Sequence, residues 1–478
     1  MPPPTRRNAY LLKALALTLA LGLTFGWPRG SAAYSVLAHE AIVDSAWTTN
    51  IRPLILKRFP NATPEQLREA HGYAYGGAII QDMGYYPHGS HFFSDLAHYV
   101  RSGDFIVALI RDSKDINGYA FALGALSHYA GDTVGHSLGV NPSVPILYPK
   151  LRKKYGPWVT YEQDPLAHIK TEFGFDVLEV AQHRYAPQSY HNFIGFGVSV
   201  PLLEQAFQET YGLDLKSVLT NEDEVLGSYR HDVSQLIPKA TRVAWSLKKN
   251  DIRRDQPSMT KKKFLYNLSR SSYRKYWGKN YKSPSVGERF LAFLVRILPK
   301  IGPLKILELR TPTPATERLF EASFNASLSR YRQLLGEVEA GRLSLPNVNF
   351  DTGQLAGPGK YWLDDQTQAE LLDALAKEHF HGASPALRAE LLNYFGDPNA
   401  HYATEKRRKT WTKVQAELRE LRKSAPPNPT RAILLPSTNP APSARGIFEQ
   451  TADAQRNTSL LAARSVSVIP EVIRQRRN

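Results

Sequence analysis

The sequence contains no cysteine. This absence excludes disulfide bonds, thiolate metal sites, cysteine nucleophiles and a lipid-modified lipoprotein cysteine. Any metal ion that the chain binds must therefore have nitrogen and oxygen ligands. Strict alternation of apolar and polar residues, the pattern typical of β-strands, is also scarce, which favours an all-α fold.

Acidic residues are outnumbered: 44 Asp and Glu face 60 Lys and Arg, which gives a net charge of +16. Such a charge favours anionic partners, such as a phospholipid surface, nucleic acid or the cell envelope. Solubility alone is the plainer explanation, and composition does not choose between them. The excess is concentrated in residues 251–300, which contain thirteen Lys and Arg but three Asp and Glu, a local net charge of about +10.

The N-terminus has the pattern of a secretory signal peptide. Three basic residues precede an apolar run from Ala14 to Trp27, and Ser31-Ala32-Ala33 supplies the small residues of a cleavage site. We expect a signal peptide over residues 1–33, cut between Ala33 and Tyr34, and a secreted or periplasmic protein. An uncleaved anchor is the alternative, although the apolar run is short for a spanning helix.

The rest of the chain divides by composition into three parts. Residues 34–245 have helical periodicity, with helix starts predicted at Thr63-Pro64 and at Asp164-Pro165. Residues 246–424 form a basic, mainly helical C-terminal region. Residues 425–478 are rich in Pro and Ser, and we expect disorder there. The apolar segment Phe290–Leu298 is predicted to be a buried helix, and a helix on an anionic membrane surface is the alternative.

The segment Ala125–His136 carries the strongest chemical signal. His128, Asp132 and His136 are spaced at i, i+4 and i+8, which places them within an arc of about 80° on one helix face. His168 and Glu172 form a second i, i+4 pair. Zinc is bound by imidazole nitrogen and carboxylate oxygen, and two facing helices can enclose several ions. A single pair of this kind is common without a metal, but two pairs are much less expected by chance.

Two glycines, Gly131 and Gly135, lie inside the same predicted helix. Each costs about 1 kcal/mol in helix propensity relative to alanine. Their presence is easier to explain if another group approaches the helix backbone closely.

This pattern resembles the zinc-dependent phospholipase C family, which shares its fold with the single-strand-specific zinc nucleases. The resemblance covers roughly residues 34–180 and reaches at most to about residue 245. It implies an all-helical domain with three zinc ions, one of them bound by the α-amine and carbonyl of the mature N-terminal residue. Tyr34 would be that residue, and His39 follows it by five positions, as a histidine does in the nucleases.

The resemblance also implies a ligand for each family position. One zinc would have Asp82, His91, His128 and Asp132, a second the Tyr34 terminus, His39 and Asp132, and the third His136, His168 and Glu172. Asp132 would bridge two ions. Since the interval from Asp82 to His91 is shorter than in the family, His88 and His98 are alternatives to His91.

The sequence departs from the family at three places. Tyr34 stands where the family has tryptophan, and three residues rather than five separate Asp132 from His136. Met83 and His88 stand where the phosphatidylcholine-cleaving members have the aromatic residues of a choline pocket. Choline specificity is therefore not predicted.

The function implied by the resemblance is phospholipase C-type cleavage of phospholipids by a hydroxide that zinc activates. Asp82 is the candidate to orient or deprotonate the attacking water. Glu172, where an aspartate would be the alternative, favours the lipase branch. The sequence does not predict an oligomeric state.

Two other functions stay open. A single-strand nuclease or 3′-nucleotidase would use the basic region together with stacking on aromatic residues, namely Tyr85, Tyr86, Phe92 and Phe93. Core packing is the plainer explanation for at least half of these. A non-catalytic zinc-binding envelope protein would have filled sites without an open coordination position.

Overall fold

The computed structural model describes residues 36–85, 89–181, 197–219, 224–225, 253, 312–396 and 408–424. These residues are mainly helical and contain no sheet, only an isolated antiparallel bridge between Val348 and Leu355. The all-α prediction is thus confirmed. They all belong to one compact unit, Met1–Pro427. In this part of the chain, no helix has both the length and the apolarity needed to cross a bilayer.

Several predictions fall on other residues. The signal peptide, Tyr34, His88, the boundary at residue 245, the segment Phe290–Leu298 and the tail after residue 424 all lie outside the described part of the chain. They stay predictions.

Fifteen α-helices are described. They are α1 Val36–Ala46, α2 Arg52–Arg58, α3 Pro64–Gly77, α4 His91–Tyr99, α5 Ser102–Asp112, α6 Ile116–Gly135, α7 Asn141–Leu147, α8 Pro149–Tyr155, α9 Pro165–Ala181, α10 Val200–Tyr211, α11 Leu215–Val218, α12 Pro314–Glu339, α13 Trp362–Lys377, α14 Pro385–Tyr394 and α15 Arg408–Lys423. Two π-helical turns, Trp47–Ile51 and His136–Val140, join α1 to α2 and α6 to α7, and a 3₁₀ turn, Ile80–Tyr85, follows α3.

Side-chain caps explain where two of these helices begin. The Thr63 side chain accepts a hydrogen bond from the Gln66 amide, and the Gln66 side chain accepts one from the Thr63 amide, so α3 starts with a complete capping box. Asp164 accepts a hydrogen bond from the Ala167 amide at 2.9 Å and caps α9. Both starts agree with the sequence prediction.

Helix α6 forms the centre of the fold. It is buried without interruption from Gly118 to Asp132, as expected for a helix that is apolar on every face. Helix α3 packs directly against its backbone, because a Cβ atom on Gly124 would lie only 2.0 Å from the Ala74 carbonyl oxygen. The π-helical turn and α7 continue α6 beyond Gly135.

The C-terminal region packs against the same helix. The Tyr331 hydroxyl of α12 donates to the Leu123 carbonyl at 2.9 Å, and Ser327 donates to the Gly131 carbonyl at 3.3 Å. After α12, the Phe350 amide donates to the His98 carbonyl at 3.1 Å. Residues from both sides of the predicted boundary at 245 therefore share one core.

Candidate metal centre

Two clusters of histidines and carboxylates lie along α6 and its continuation. The first cluster consists of His39, Asp82, His98, His128 and Asp132, and the second cluster of His136, His168 and Glu172. The first contains two ligand groups that share His128, and within each group one ligand atom per residue lies within 4.8 Å of the others. No side chain of either cluster is more than 3% exposed.

Asp132 is the centre of the first cluster. Its Oδ1 lies 3.2 Å from His39 Nε2, while its Oδ2 lies 3.0 Å from His128 Nε2 and 3.5 Å from His98 Nε2. The two oxygens thus face different histidines. This is the geometry that a carboxylate needs in order to bridge two ions.

Asp82 completes the first cluster from the 3₁₀ turn. Its Oδ1 lies 3.3 Å from His98 Nε2 and 4.0 Å from His128 Nε2. Together with His39 of α1, four elements therefore contribute to the first cluster: α1, the turn after α3, helix α4 and helix α6.

His98, and not His91, is the α4 histidine in this cluster. His91 is the first residue of α4 and is exposed, with its ring 5.4 Å from that of Tyr85. Seven residues turn a helix through about 700°, so the two histidines share a face but lie about 10 Å apart along the axis. The structure therefore brings His98, one of the two alternatives left open by the sequence, into this cluster and does not bring His91 there.

The second cluster begins where α6 changes into the π-helical turn at His136. His168 Nδ1 lies 2.6 Å from Glu172 Oε1, and His136 Nε2 lies 3.9 Å from the same oxygen. Eight residues advance a helix by about 12 Å, so His128 and His136 serve different clusters although the sequence places them on one face. Single π-helical turns within α-helices are frequent at functional sites.

The remaining ring nitrogens of four cluster histidines lie close to polar groups. His98 Nδ1 donates to the Ser94 carbonyl at 2.7 Å, and His128 Nδ1 donates to the Ala78 carbonyl at 2.8 Å. Since a carbonyl only accepts, both rings present an unprotonated Nε2 to the cluster when neutral. His168 Nε2 lies 2.8 Å from Asn141 Oδ1, and His136 Nδ1 lies 3.2 Å from Asp351 Oδ1.

The side chains within each cluster are arranged to bind a divalent cation rather than to pair with one another. Buried atoms without a hydrogen-bond partner include both carboxylate oxygens of Asp82 and Asp132, Nε2 of His98, His128 and His136, and Oε2 of Glu172. Leaving one such atom unpaired costs about 1–3 kcal/mol. Their convergence on common points is expected of metal ligands, and the nitrogen and oxygen donors suit zinc.

The electrostatics of the two clusters differ. Burial would raise the pKa of Asp132, but the neighbouring His128 and His39 outweigh burial and hold it well below the usual value. In the second cluster, burial and the charge of Asp132 raise the pKa of Glu172 well above its usual value. Burial and the neighbouring His136 lower the pKa of His168 to about 3. Without a cation, these two shifts favour the neutral forms of Glu172 and His168.

At Gly131 another group does approach the helix backbone closely, as the low helix propensity of glycine suggested. A Cβ atom at this position would lie 3.2 Å from both Cε1 and Nδ1 of His39. The His39 ring also stacks on the His128 ring with centroids 4.1 Å apart. The glycine thus makes room for a histidine of the first cluster.

A family model for zinc-dependent phospholipase C matches residues 38–221. This segment, which is less than half of the chain, is similar to the zinc-dependent phospholipase C family. The matched segment contains all eight side chains of the two clusters and ends before Asp351. Among curated proteins and solved structures, the comparisons find no match.

Asp351 lies near the clusters although the sequence did not indicate it. It lies in an irregular stretch between α12 and α13, and no motif or periodicity surrounds it. Its position beside His136 results from the packing of the C-terminal region on α6, which spacing along the chain does not encode.

Proposed function

We propose that this protein is a secreted, zinc-dependent phosphodiester hydrolase that cleaves phospholipids in the manner of a phospholipase C. The observation that carries the proposal is Asp132, whose two oxygens face different histidines inside a buried set of unpaired donor and acceptor atoms. The family of the segment 38–221 supports a phospholipid as the substrate class.

Three zinc sites follow from this proposal. The first has Asp82, His98, His128 and Asp132, the second His39, Asp132 and the Tyr34 terminus, and the third His136, His168 and Glu172. Helix α1, which carries His39, begins at Val36. Two residues of extended chain span at most about 7 Å, so cleavage after Ala33 would create the new terminus close to His39.

When bound, zinc would activate water as a nucleophile and neutralise charge on the phosphate. The protein residues then have separate tasks. Asp132 holds two sites at a fixed separation, and the carbonyls of Ser94 and Ala78 hold the His98 and His128 rings in place. Asp82 has two buried oxygens without a hydrogen-bond partner, and it is our candidate to orient or deprotonate the attacking water.

The nuclease alternative receives less support from the aromatic residues. Tyr85 is buried and donates to Asp95 at 3.0 Å, and Phe93 is buried against Phe207 with ring centroids 5.6 Å apart. Phe92 is partly buried and packs on the core, and Tyr86 lies outside the described residues. Base stacking requires an accessible ring face, which Tyr85 and Phe93 do not offer.

A paired assay on the mature full-length protein tests the proposal. With zinc present, we expect hydrolysis of short-chain phosphatidylcholine, phosphatidylethanolamine or phosphatidylglycerol, with release of a phosphorylated head group. Cleavage of single-stranded DNA or 3′-nucleotides without phospholipid hydrolysis would favour the nuclease. Filled zinc sites without either activity would favour the non-catalytic envelope protein. D132N is the inactive control.

Secretion has a separate test. N-terminal sequencing of the protein exported by a Gram-negative host should read Tyr34-Ser35-Val36. Retention of Ala33 would contradict the proposed role of the Tyr34 terminus, and retention of residues 1–33 in the membrane fraction would support the uncleaved anchor.

A further inference from the structure

Asp351 is a buried carboxylate beside the second cluster, yet it comes from the C-terminal region. Its Oδ1 lies 3.2 Å from His136 Nδ1, while His136 Nε2 faces Glu172 Oε1. Asp351 is not part of the group formed by His136, His168 and Glu172. We infer that Asp351 is a positioning residue, which orients His136 for metal binding through the ring nitrogen opposite the cluster. This inference rests on the proposed zinc function.

The Asp351 side chain is held so that only one oxygen is left for His136. Its Oδ2 accepts hydrogen bonds from the Tyr361 hydroxyl at 2.5 Å and the Tyr99 hydroxyl at 2.9 Å. Its Oδ1 is buried and has no hydrogen-bond partner. The two tyrosines thus fix the carboxylate with its free oxygen directed at the imidazole.

The backbone of the same residue is linked to the other histidine of the cluster. The Asp351 carbonyl accepts a hydrogen bond from Asn141 Nδ2 at 2.7 Å, and Asn141 Oδ1 lies 2.8 Å from His168 Nε2. The carboxylate thus faces His136, and the carbonyl positions the amide that orients His168. Both imidazoles of the second cluster depend on residue 351.

The stretch that carries Asp351 is anchored to the matched segment near the C-terminal end of α4. Ser102 donates to the Val348 carbonyl at 2.7 Å, and the Phe350 amide donates to the His98 carbonyl at 3.1 Å. The Phe350 ring lies 5.1 Å from the His98 ring and 6.0 Å from the His128 ring. The C-terminal region is therefore a wall of the metal centre.

The chemistry of a carboxylate behind a ligand histidine supports this role. A carboxylate that accepts the Nδ1 proton fixes the tautomer, increases the basicity of Nε2 and holds the ring in the plane that the metal requires. Loss of such a partner costs about 10–100-fold in metal affinity. Truncation of the chain before residue 312 would remove this support from the second cluster.

Zinc titration of the full-length protein against a chelator tests the inference. The D351N side chain has one oxygen and one NH2 group in place of two oxygens. Either the NH2 group faces His136, or it faces the two tyrosine hydroxyls, which then lose their acceptor. We expect the zinc of the second cluster to bind about 10–100-fold more weakly, with the other zinc affinities unchanged. D365N is the matched control, since Asp365 is also buried and accepts from the Tyr394 hydroxyl at 2.8 Å, and it should bind zinc like the wild type.

A spectroscopic signature separates orientation from general destabilisation. In the Co²⁺-loaded protein, the ring N–H protons of bound histidines give shifted NMR signals that exchange with solvent. We expect D351N to accelerate exchange of the His136 Nδ1 proton, and D365N to leave it unchanged. Y361F keeps the carboxylate but removes one of its hydrogen-bond donors, so we expect a smaller loss of zinc affinity than in D351N. If D351N does not fold, the zinc affinity of Y361F tests the role of Asp351.

The outcomes are distinct for the two proposals. Wild-type protein that binds no zinc would contradict the proposed function itself. Three zinc ions in the wild type with unchanged affinity in D351N and Y361F would contradict only the role of Asp351.

Discussion

His98 Nε2 lies 3.3 Å from Asp82 Oδ1, and this contact identifies the histidine that α4 contributes to the first cluster. The Tyr85 ring lies 5.4 Å from the His91 ring and 5.6 Å from the His98 ring, so the two histidines lie near a common neighbour. Only His98 is buried with the carboxylates.

Substitution of the two α4 histidines should therefore have unequal effects. We expect H98A to lose the zinc held by Asp82, His98 and His128 and to lose most of its phospholipid hydrolysis, because that zinc would help to activate the attacking water. H91A should keep the wild-type zinc content and most of the activity. Elemental analysis and initial rates on both variants measure this, and equal losses would contradict the assignment of His98.

D132N and E172Q should remove different numbers of zinc ions. Asp132 contributes to two proposed sites and Glu172 to one, so we expect losses of two and one ions per chain, measured by elemental analysis after dialysis. Loss of a single ion from D132N would contradict the bridging role of Asp132.

E172Q should also leave the zinc-free protein as stable as the wild type. Burial raises the pKa of Glu172 well above its usual value, which favours the protonated form, and glutamine imitates that form. Zinc must displace this proton, hence zinc affinity of the second cluster should rise with pH. His168, with its pKa lowered to about 3, releases none. Calorimetric titration in buffers of different ionisation enthalpy counts the released protons, and a pH-independent affinity would contradict the prediction.

G131A tests the contact between α6 and His39. A methyl group here would lie 3.2 Å from the His39 ring, so we expect displacement of His39. The proposed zinc site of His39, Asp132 and the Tyr34 terminus should then lose its zinc, although alanine has a better helix propensity than glycine. Gly336 in α12 is the matched control, because a Cβ atom there meets nothing within 4 Å. G336A should raise the free energy of unfolding by up to about 1 kcal/mol without a change in zinc content. Equal zinc content in the two variants would show that Gly131 does not serve His39.

The stability of the protein should fall with rising pH through Asp364. Burial raises the pKa of Asp364 to about 8, although Asn349 donates to it. The folded state therefore holds a proton that the unfolded chain releases at a pKa of about 4. The stabilising contribution is complete below pH 4 and is lost as pH rises toward 8. D364N imitates the protonated form, so its melting temperature should fall less than that of the wild type between pH 5 and 8. Parallel curves would contradict the raised pKa.

The sequence predicted the helical fold and most of the clusters because both depend on local spacing. An i, i+4 interval determines that His128 and Asp132, or His168 and Glu172, meet on one helix face. Sequence spacing could not decide between His91 and His98, since both lie on the same face of α4. Only tertiary packing determines that His98 is the buried one. Sequence reasoning could not find Asp351, because an irregular stretch brings it to His136 over a sequence separation of 215 positions.

Metal analysis of the mature full-length protein tests the central claim most directly. Purified from an exporting host without added chelator, the protein should contain close to three zinc ions per chain, and their removal should abolish phospholipid hydrolysis until zinc is restored. A content of zero or one zinc per chain, or full hydrolysis by the zinc-free protein, would contradict the proposed trinuclear centre.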